Sequence, residues 1–458
     1  MKRNLLLTAS PLVLALGLST LTSVSAQAAD LGGNCCSDLE ERIAELENTT
    51  ARKGNRKVSV EINGWVNEGV FFWDDGKETN AYVGTNALEQ SRFQFKGEAK
   101  VTSDIKAGYR LEIGLWGASS KEFYQDGTTF PATAPSLQEL NALRVRHSVW
   151  YLSSKTYGKF SLGQTGTATY HLLDDLAAKT TRYVSDYEAS GVYVGSFWVR
   201  DSATGDYADE GGKIRWTELM AGYNNSSPGQ SSRRNVVKYD TPEIMGFTGT
   251  VAWGEDDLFD AALRYKQKHG DFDLKVNGGY GRSTQKTAGS LPPTGEYPSR
   301  SCGPSAPLQD VNGVGQGDFC QWWGVGGNIK HDPTGLYVYG AYGAQQVDLK
   351  PLTDPKGKPG SDISSTAYVQ AGIEKKWWDL GTTTFFGEYR HDDVGQSRKG
   401  QESSLNFVTA GIVQQIDKAA TELYLMYRHS DGDFTKFDGT NINLDALQMV
   451  ITGARVQF

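Results

Sequence analysis

The fold is decided by one stretch of strict alternation, Arg92-Phe93-Gln94-Phe95-Lys96-Gly97-Glu98-Ala99-Lys100-Val101. Apolar or small residues alternate in it with polar or charged ones. Because successive side chains of a β-strand point to opposite faces, this period of two predicts a strand with one apolar and one polar face. The alternation resumes at Ile105 after the short link 102–104, which predicts a hairpin.

The same alternation continues through the body of the chain, from Val58 to Phe458. We count sixteen such segments: 58–73, 90–101, 105–117, 141–153, 159–167, 233–241, 246–254, 259–268, 272–282, 320–330, 336–347, 365–376, 381–391, 404–416, 421–430 and 445–458. In segment 141–153, the apolar residues 143, 145, 149 and 151 are predicted on one face, opposite Arg144, Arg146, Ser148 and Trp150. An even count predicts both ends of the sheet on one side.

The connections between these segments alternate in length. Short links such as 102–104, 269–271 and 417–420 are followed by longer polar connections such as 118–140 and 283–319. This rhythm is typical of antiparallel transmembrane β-barrels. We therefore predict an all-β fold, a sixteen-stranded antiparallel barrel whose polar faces line water. A soluble sandwich shares the alternation, and a further strand pair at 191–199 and 213–223 would raise the count to eighteen.

The composition narrows the class of protein. The mean hydropathy is −0.47, and no internal run approaches the ~20 apolar residues of a membrane helix, which excludes a polytopic helical membrane protein. The 53 glycines lack a collagen period and occur with 11 Trp, 22 Tyr and 18 Phe, which argues against disorder. The net charge of −8, without a basic stripe, gives no indication of a nucleic-acid partner.

The N-terminus indicates export. Lys2 and Arg3 precede an apolar run over 5–21, and small residues follow, ending in Ala26-Gln27-Ala28. This order is typical of a cleaved secretory signal, so we predict a signal peptide over 1–28. The next segment, 29–57, is predicted to contain a short coiled-coil helix and a polar linker.

The coiled-coil prediction depends on the four-then-three spacing of Leu39, Ile43 and Leu46. A helix of this length is marginal alone, so we expect a bundle of identical chains to stabilise it. Packing of the helix on its own chain is the alternative.

Export also bears on the four cysteines. Cys302 and Cys320 flank a Gly/Pro-rich stretch and are candidates for a disulfide in an oxidising compartment. A zinc site is the weaker interpretation, since the spacing is wrong and no His lies nearby. A bridge between the adjacent Cys35 and Cys36 would be strained, so these two link chains or stay reduced.

The C-terminal strand brings these features together. The chain ends Val450-Ile451-Thr452-Gly453-Ala454-Arg455-Val456-Gln457-Phe458, an alternating strand with a terminal Phe. Together with the signal peptide, the sixteen strands and the short–long connections, this end resembles the Gram-negative trimeric porins. The run from Asn55 through Phe72-Trp73-Asp74-Asp75-Gly76 is similar to the first strand of alphaproteobacterial porins.

This resemblance implies a function and a set of partners. It implies a barrel over 58–458 in the outer membrane that lets ions and small hydrophilic solutes diffuse passively, with no enzymatic activity and no cofactor. It implies a homotrimer surrounded by outer-membrane lipid and lipopolysaccharide, with Phe458 as part of the signal for the barrel-assembly machinery. The N-terminal helix would lie in the periplasm, where it clamps the subunits or reaches peptidoglycan.

The resemblance further implies that the loop after the fifth strand, about 168–232, folds inward and narrows the pore. The acidic residues of this loop are Asp174, Asp175, Asp186 and Glu188. The basic residues predicted on the inward faces of strands two to four are Arg92, Lys96, Arg110, Arg144 and Arg146. Acid opposite base predicts a transverse field that sets ion preference. Lys179 and Arg182 reduce the acidity of the loop, so the sign of that preference stays open.

Two other classes of function compete with a general channel. One is an eighteen-stranded channel selective for a solute such as a carbohydrate. The other is a secreted sugar-binding β protein or a hydrolase carried on a barrel. The chain lacks G-x-x-x-x-G-K-[ST], H-E-x-x-H and G-x-S-x-G, and its six histidines are scattered, so we predict no catalytic residues and no metal site.

Overall fold

The structure is a computed structural model that describes residues 58–115, 117–127, 143–210, 212–221, 227–254, 257–283, 320–347, 363–395, 402–436 and 438–458. The signal peptide over 1–28, the coiled-coil residues Leu39, Ile43 and Leu46, and Cys302 lie outside these ranges. What the sequence predicts for them stays a prediction.

Antiparallel strands make up most of the regular structure in these ranges. They are β1 (Glu61–Asp74), β2 (Thr79–Thr85), β3 (Arg92–Lys100), β4 (Ile105–Leu115), β5 (Leu143–Ser154), β6 (Gly158–Gly166), β7 (Arg233–Asp240), β8 (Phe247–Gly254), β9 (Phe259–His269), β10 (Phe272–Ser283), β11 (Cys320–His331), β12 (Leu336–Val347), β13 (Ile363–Trp378), β14 (Gly381–Val394), β15 (Glu402–Ile416), β16 (Thr421–Thr435), β17 (Asn441–Asn443) and β18 (Leu447–Gln457). Two short helices, α1 (Ala189–Val194) and α2 (Trp216–Leu219), lie between β6 and β7. No helix in the described ranges is long and apolar enough to cross a membrane.

The sheet closes on itself with sixteen positions around its wall. β1 pairs with β18, so that Phe71 lies opposite Ile451 and the barrel is closed. β2 and β3 both pair with β1, which makes them two parts of one interrupted wall strand. β17 and β18 both pair with β16 in the same way. The predicted sixteen-stranded antiparallel barrel is therefore confirmed.

The period of two decides which side chains face outward. Ile329, Leu336 and Val338 each keep about half of their surface exposed on the outer wall. The intervening side chains, such as Asn328 and Tyr339, are buried inside. An apolar outer band and a polar interior are what a membrane barrel requires.

One strand departs from the predicted faces. The register between β4 and β5 shifts at Glu112 and Ile113, which leaves Arg146 as an extra residue. Such a β-bulge reverses the alternation beyond it. Trp150 therefore points outward, with 46% of its surface exposed, and the Tyr151 hydroxyl donates to a carboxylate inside the barrel. The predicted faces of Ser148, Val149, Trp150 and Tyr151 were therefore wrong, because simple alternation counts no extra residue.

Both ends of the sheet meet at the end of the barrel that has short turns, as the even count predicts. These turns are 101–104, 155–157, 241–246, 270–271, 332–335, 379–380 and 417–420. At the seam, the backbone N–H and carbonyl of Phe458 each bond to Gly64, both at 3.0 Å.

The hydrophobic core lies inside the barrel and is built by the connection between β6 and β7, residues 167–232, which we call the inner loop. Its large apolar side chains, among them Leu172, Tyr193, Phe197 and Trp216, are buried against inward residues of the wall. A barrel wall alone has no apolar interior to pack. The inner loop therefore supplies the second layer of the core and fixes where open lumen is left.

Candidate functional site

The start of the inner loop is anchored to one side of the wall. The Asp260 carboxylate on β9 accepts hydrogen bonds from two loop backbone N–H groups, at 3.0 and 2.8 Å. The side-chain amides of Asn277 on β10 and Asn328 on β11 donate to loop carbonyls, both at 2.7 Å. These inward polar residues satisfy loop backbone groups that are buried away from water.

The middle of the inner loop is anchored to the opposite side by buried arginines. Arg390 on β14 pairs with Asp392 at 2.8 Å and donates to the Tyr187 carbonyl at 2.7 Å. Arg428 on β16 pairs with Glu388 at 2.9 Å and donates to a loop serine at 2.8 Å. Both ion pairs lie within the wall and fix the guanidinium groups, whose charge-assisted hydrogen bonds to the loop hold it here.

The far part of the inner loop forms a small hairpin, which decides the strand count. Trp198 pairs with Arg215 in an isolated antiparallel bridge. The hairpin does not enter the wall: Arg200 bonds Asp75 at 2.7 Å, and the Leu219 carbonyl accepts from a serine of β15 at 2.7 Å. The described residues of these segments, 191–199 and 213–221, therefore belong to the inner loop, as the sixteen-strand prediction requires.

The inner loop returns to the wall at a contact that only glycine permits. Gly229 has a φ of +86°, and a Cβ on it would lie 2.7 Å from the Cα of Gly343 and 2.9 Å from that of Gly324. Three glycines thus let the loop backbone touch β11 and β12 directly.

The four predicted loop acids do not all face the lumen. Three of them surround Arg182 of the same loop, which lies 2.8 Å from Asp174, 3.2 Å from Asp175 and 2.7 Å from Asp186. Asp174, Asp186 and Glu188 are buried, whereas Asp175 has 54% of its side chain exposed. Arg182 therefore compensates much of the negative charge that the sequence places in this loop.

Protonation adds a further positive charge to this cluster. Burial alone would lower the pKa of His171, but the Asp174 carboxylate, 2.5 Å from its Nδ1, raises that pKa to about 10. Despite burial, Arg182 and His171 hold the pKa of Asp174 below its usual range. Burial raises the pKa of Glu188 to about 7. At neutral pH, His171 is a cation and Glu188 is only partly ionised.

On the wall, three of the predicted arginines converge on one buried carboxylate, Glu112 of β4. Arg92 lies 3.3 Å and Arg146 2.7 Å from it, and Arg110 also contacts it. Glu89 contacts Arg92 as a second carboxylate. Three guanidiniums against two carboxylates leave this wall with net positive charge.

The other two predicted wall residues lie at different levels. Lys96 pairs with Glu61 at 2.9 Å, toward the short-turn end of the barrel. Arg144 lies opposite Gly114, where a Cβ would meet the Arg146 side chain, so Arg144 shares that inward face. All five basic residues thus face the interior, but only three of them form one cluster.

A second basic wall was missed at the level of sequence. It consists of inward residues on β7, β9, β10 and β11: Lys238, Arg264, Lys266, Lys275 and Lys330. Lys266 and Lys275 lie directly opposite each other, and neither has a carboxylate within 4 Å among the described residues. The sequence feature that could have predicted this wall is the period-two spacing of Arg264, Lys266 and Lys268, which puts three cations on one face of a strand.

The exposed acid of the inner loop faces this second wall. Asp175 is close enough to act electrostatically on Arg264 and Lys275. Of the other carboxylates near these lysines, Glu374 pairs with Lys330 at 2.6 Å, and Asp273 on β10 also acts electrostatically on Lys275. The space between the inner loop and the wall is therefore bordered mainly by cations. In the described ranges, no His, Cys, Asp and Glu side chains gather in a group that could hold a metal.

Comparison by sequence identifies one family. The profile described as Gram-negative porin matches residues 13–449. No curated protein matches the chain.

Comparison by structure finds the same fold in solved outer-membrane proteins. The anion-selective porin from Comamonas acidovorans has a TM-score of 0.51 at 15% identity, covering 88% of this chain and 100% of its own. In-vitro folded OmpT of Vibrio cholerae has a TM-score of 0.50 at 15% identity, covering 89% and 99%. Salmonella typhi OmpF in complex with daunomycin has a TM-score of 0.50 at 13% identity, covering 88% and 98%. At such identities the likeness concerns the fold alone.

Proposed function

The chain belongs to the Gram-negative porin family, and on that premise we propose that its constriction lies between the inner loop and the wall and favours anions. As a porin, it is an outer-membrane channel for the passive diffusion of ions and small hydrophilic solutes. Its charge preference is a property of the residues at the constriction.

The observation that supports anion preference is that most acids of the inner loop are paired with a cation, whereas two lysines of the wall are not paired with an acid in the described part of the chain. Arg182 compensates the acids of the inner loop, and Asp175 is the one of the four that is exposed. On the wall that faces the loop, Lys266 and Lys275 are cross-strand neighbours, and neither has a carboxylate within 4 Å among the described residues. Cations without a paired carboxylate that border a narrow water-filled channel raise the local concentration of anions.

The size of this effect follows from Coulomb's law. A unit charge about 5 Å from the ion path contributes about 0.8 kcal/mol in a medium of ε ≈ 80, which is about fourfold in local ion concentration. Salt with a Debye length of about 10 Å at 0.1 M leaves charges at this distance largely unscreened.

The test is the zero-current potential of purified protein in planar bilayers across a KCl gradient. We expect the potential to indicate anion preference. Replacing both Lys266 and Lys275 with Gln should reduce that preference by at least about fourfold. Lys418→Gln, an exposed change in the 417–420 turn, is the matched control. Cation preference of the unmodified channel would contradict the proposal.

We further propose that the channel is a homotrimer joined at the wall around β1. Glu68 lies at the middle of β1, where it is exposed and accepts from the hydroxyls of Thr85 at 2.7 Å and Ser91 at 3.1 Å. A carboxylate is unfavourable against acyl chains, so a neighbouring subunit is a better partner for this face. Cross-linking of purified protein should give trimers, and monomers at every concentration would contradict this assembly.

Cys320 is disulfide-bonded, and its partner lies outside the described residues. We propose Cys302 as that partner, since Cys35 and Cys36 lie in the N-terminal segment. Peptide mapping under non-reducing conditions would identify the bridged pair, and a bridge from Cys320 to the N-terminal segment would contradict the assignment.

A further inference from the structure

A groove on the outer wall lies apart from the lumen. It crosses strands β10 to β14 near the short-turn end and has a volume of about 650 Å³. Its sides are apolar side chains, among them Phe272, Ile329, Leu336, Val338 and Phe385. A groove of this size on the membrane-facing surface is large enough to bind a ligand.

The groove exists because its floor lacks side chains. Ala371 on β13 and Gly387 on β14 lie opposite each other and belong to its lining. A Cβ on Gly387 would meet nothing closer than the Thr409 carbonyl oxygen at 3.9 Å. The bulky pair Ile373 and Phe385 flanks this floor two residues away. The surface is therefore lower here by about the depth of one side chain.

The groove is open to the membrane. Leu336 and Val338 on its rim are 56% and 50% exposed. Since the barrel of a porin is surrounded by lipid at this level, the material next to these side chains is acyl chain. An apolar channel of this shape fits one such chain lying along the strands.

The short-turn end of the groove carries basic groups. Lys375 lies two residues beyond Ile373 on the same face, and its Nζ donates to the Pro333 carbonyl at 3.1 Å. Among the described residues, Lys375 has no carboxylate within 4 Å. His331, at the end of β11, contacts the Phe272 ring at 4.9 Å between centroids and bonds the Thr334 hydroxyl through Nδ1. Its Nε2 has no hydrogen-bond partner in the part of the chain that the structure describes.

Lys375 and His331 lie at the depth in the membrane where lipid headgroups are found. Trp377 and Trp378 lie two and three residues after Lys375 and are both exposed, as residues of an interfacial aromatic girdle are. Lys375 and Ala371 are four residues apart, or about 13 Å along the strand. A headgroup held at Lys375 would therefore direct its acyl chain over the floor of the groove.

We propose that this groove binds a glycerophospholipid of the inner leaflet, with one acyl chain over Ala371 and Gly387 and the phosphate on Lys375 and His331. The short turns of porins lie on the periplasmic side, which places the groove in that leaflet. The ammonium group of lysine is a compact charge suited to phosphate. Apolar lining and unpaired positive charge together fit an anionic amphiphile better than a second protein chain.

The test is native mass spectrometry of the full-length protein titrated with phosphatidylglycerol in detergent. We expect one retained lipid per subunit. Gly387→Leu, which fills the groove, and Lys375→Gln, which removes the charge, should each weaken retention about tenfold. Gly278→Leu is the matched control, because Gly278 also lies on the outer wall with nothing closer than 3.8 Å to an added Cβ. Lys418→Gln is the control for charge.

Unchanged single-channel conductance of Gly387→Leu would show that the barrel is folded, because this side chain points away from the lumen. Equal retention by Gly387→Leu and Gly278→Leu would overturn the proposal. The proposal would also be overturned if the unmodified protein bound inorganic phosphate as tightly as phosphatidylglycerol. Undiminished binding of phosphatidylglycerol by Lys375→Gln would overturn it as well. A change in oligomeric state caused by Gly387→Leu alone would assign the groove to a second copy of the chain instead.

Discussion

Arg182 controls the net charge of the inner loop, and its replacement by Gln is the sharpest perturbation that the structure offers. The guanidinium lies within 3.2 Å of Asp174, Asp175 and Asp186 and reaches Glu89 at 3.4 Å. Arg182→Gln keeps a side chain of similar length but removes one positive charge. The carboxylates around it would then lose their shared partner.

The expected magnitude follows from Coulomb's law for a charge beside the ion path. At about 5 Å and ε ≈ 80, loss of a unit charge changes the energy of a monovalent ion by about 0.8 kcal/mol. Cations gain this amount and anions lose it, so each local concentration changes about fourfold in opposite directions. Permeability should shift toward cations by at least that factor at 0.1 M salt, where the Debye length is about 10 Å.

The assay is the zero-current potential across a KCl gradient, measured with Arg182→Gln, Arg182→Lys and the unmodified channel. Arg182→Lys keeps the charge and should keep the selectivity. The heat-dependent shift in gel mobility checks that each variant has formed its barrel. A potential that is unchanged in folded Arg182→Gln would refute the assignment of Arg182 to the constriction.

Three further predictions concern the same region and the N-terminal segment. Asp175→Asn should strengthen anion preference in the same assay, whereas Asp174→Asn, at a buried position, should mainly increase current noise; equal effects would contradict the difference in exposure. His171 has a pKa of about 10 when folded and about 6.5 when unfolded, so its contribution to loop stability is complete below pH 6.5 and is lost as pH rises toward 10. Single-channel recordings should therefore become noisier toward pH 10, and in His171→Gln this pH dependence should disappear. Deletion of 37–48 should weaken trimers on native gels without changing monomer conductance, and loss of the folded barrel would contradict a purely clamping role.

Much of the barrel follows from sequence because one physical rule acts on every strand. Lipid selects apolar side chains on one face, so the period of two in a stretch such as 92–101 records which residues face outward. The bulge at Arg146 breaks that rule by one residue, and no local pattern marks it. The resemblance to porins is confirmed, whereas the alphaproteobacterial type stays a prediction.

The candidate site is less visible in sequence because it consists of contacts between distant segments. Alternation predicts Arg92, Arg110 and Arg146 on inward faces, and the structure has all three in contact with Glu112. Alternation cannot show that all three arginines form ion pairs with Glu112. Nor can it show that Arg182 forms ion pairs with three acids of its own loop. Such partners are set by the path of the inner loop, which has no repeating pattern.

The anchors of the inner loop also have a mechanical consequence. Lateral pressure in a bilayer deforms a hollow cylinder by making its cross-section oval. In this barrel, Asp260 and Asn277 hold the loop on one side, while Arg390 and Arg428 hold it on the other, so the loop acts as an internal strut. Any oval distortion would stretch buried charge-assisted hydrogen bonds, which are among the strongest in a protein. The bore of this channel should therefore be insensitive to membrane thickness and tension.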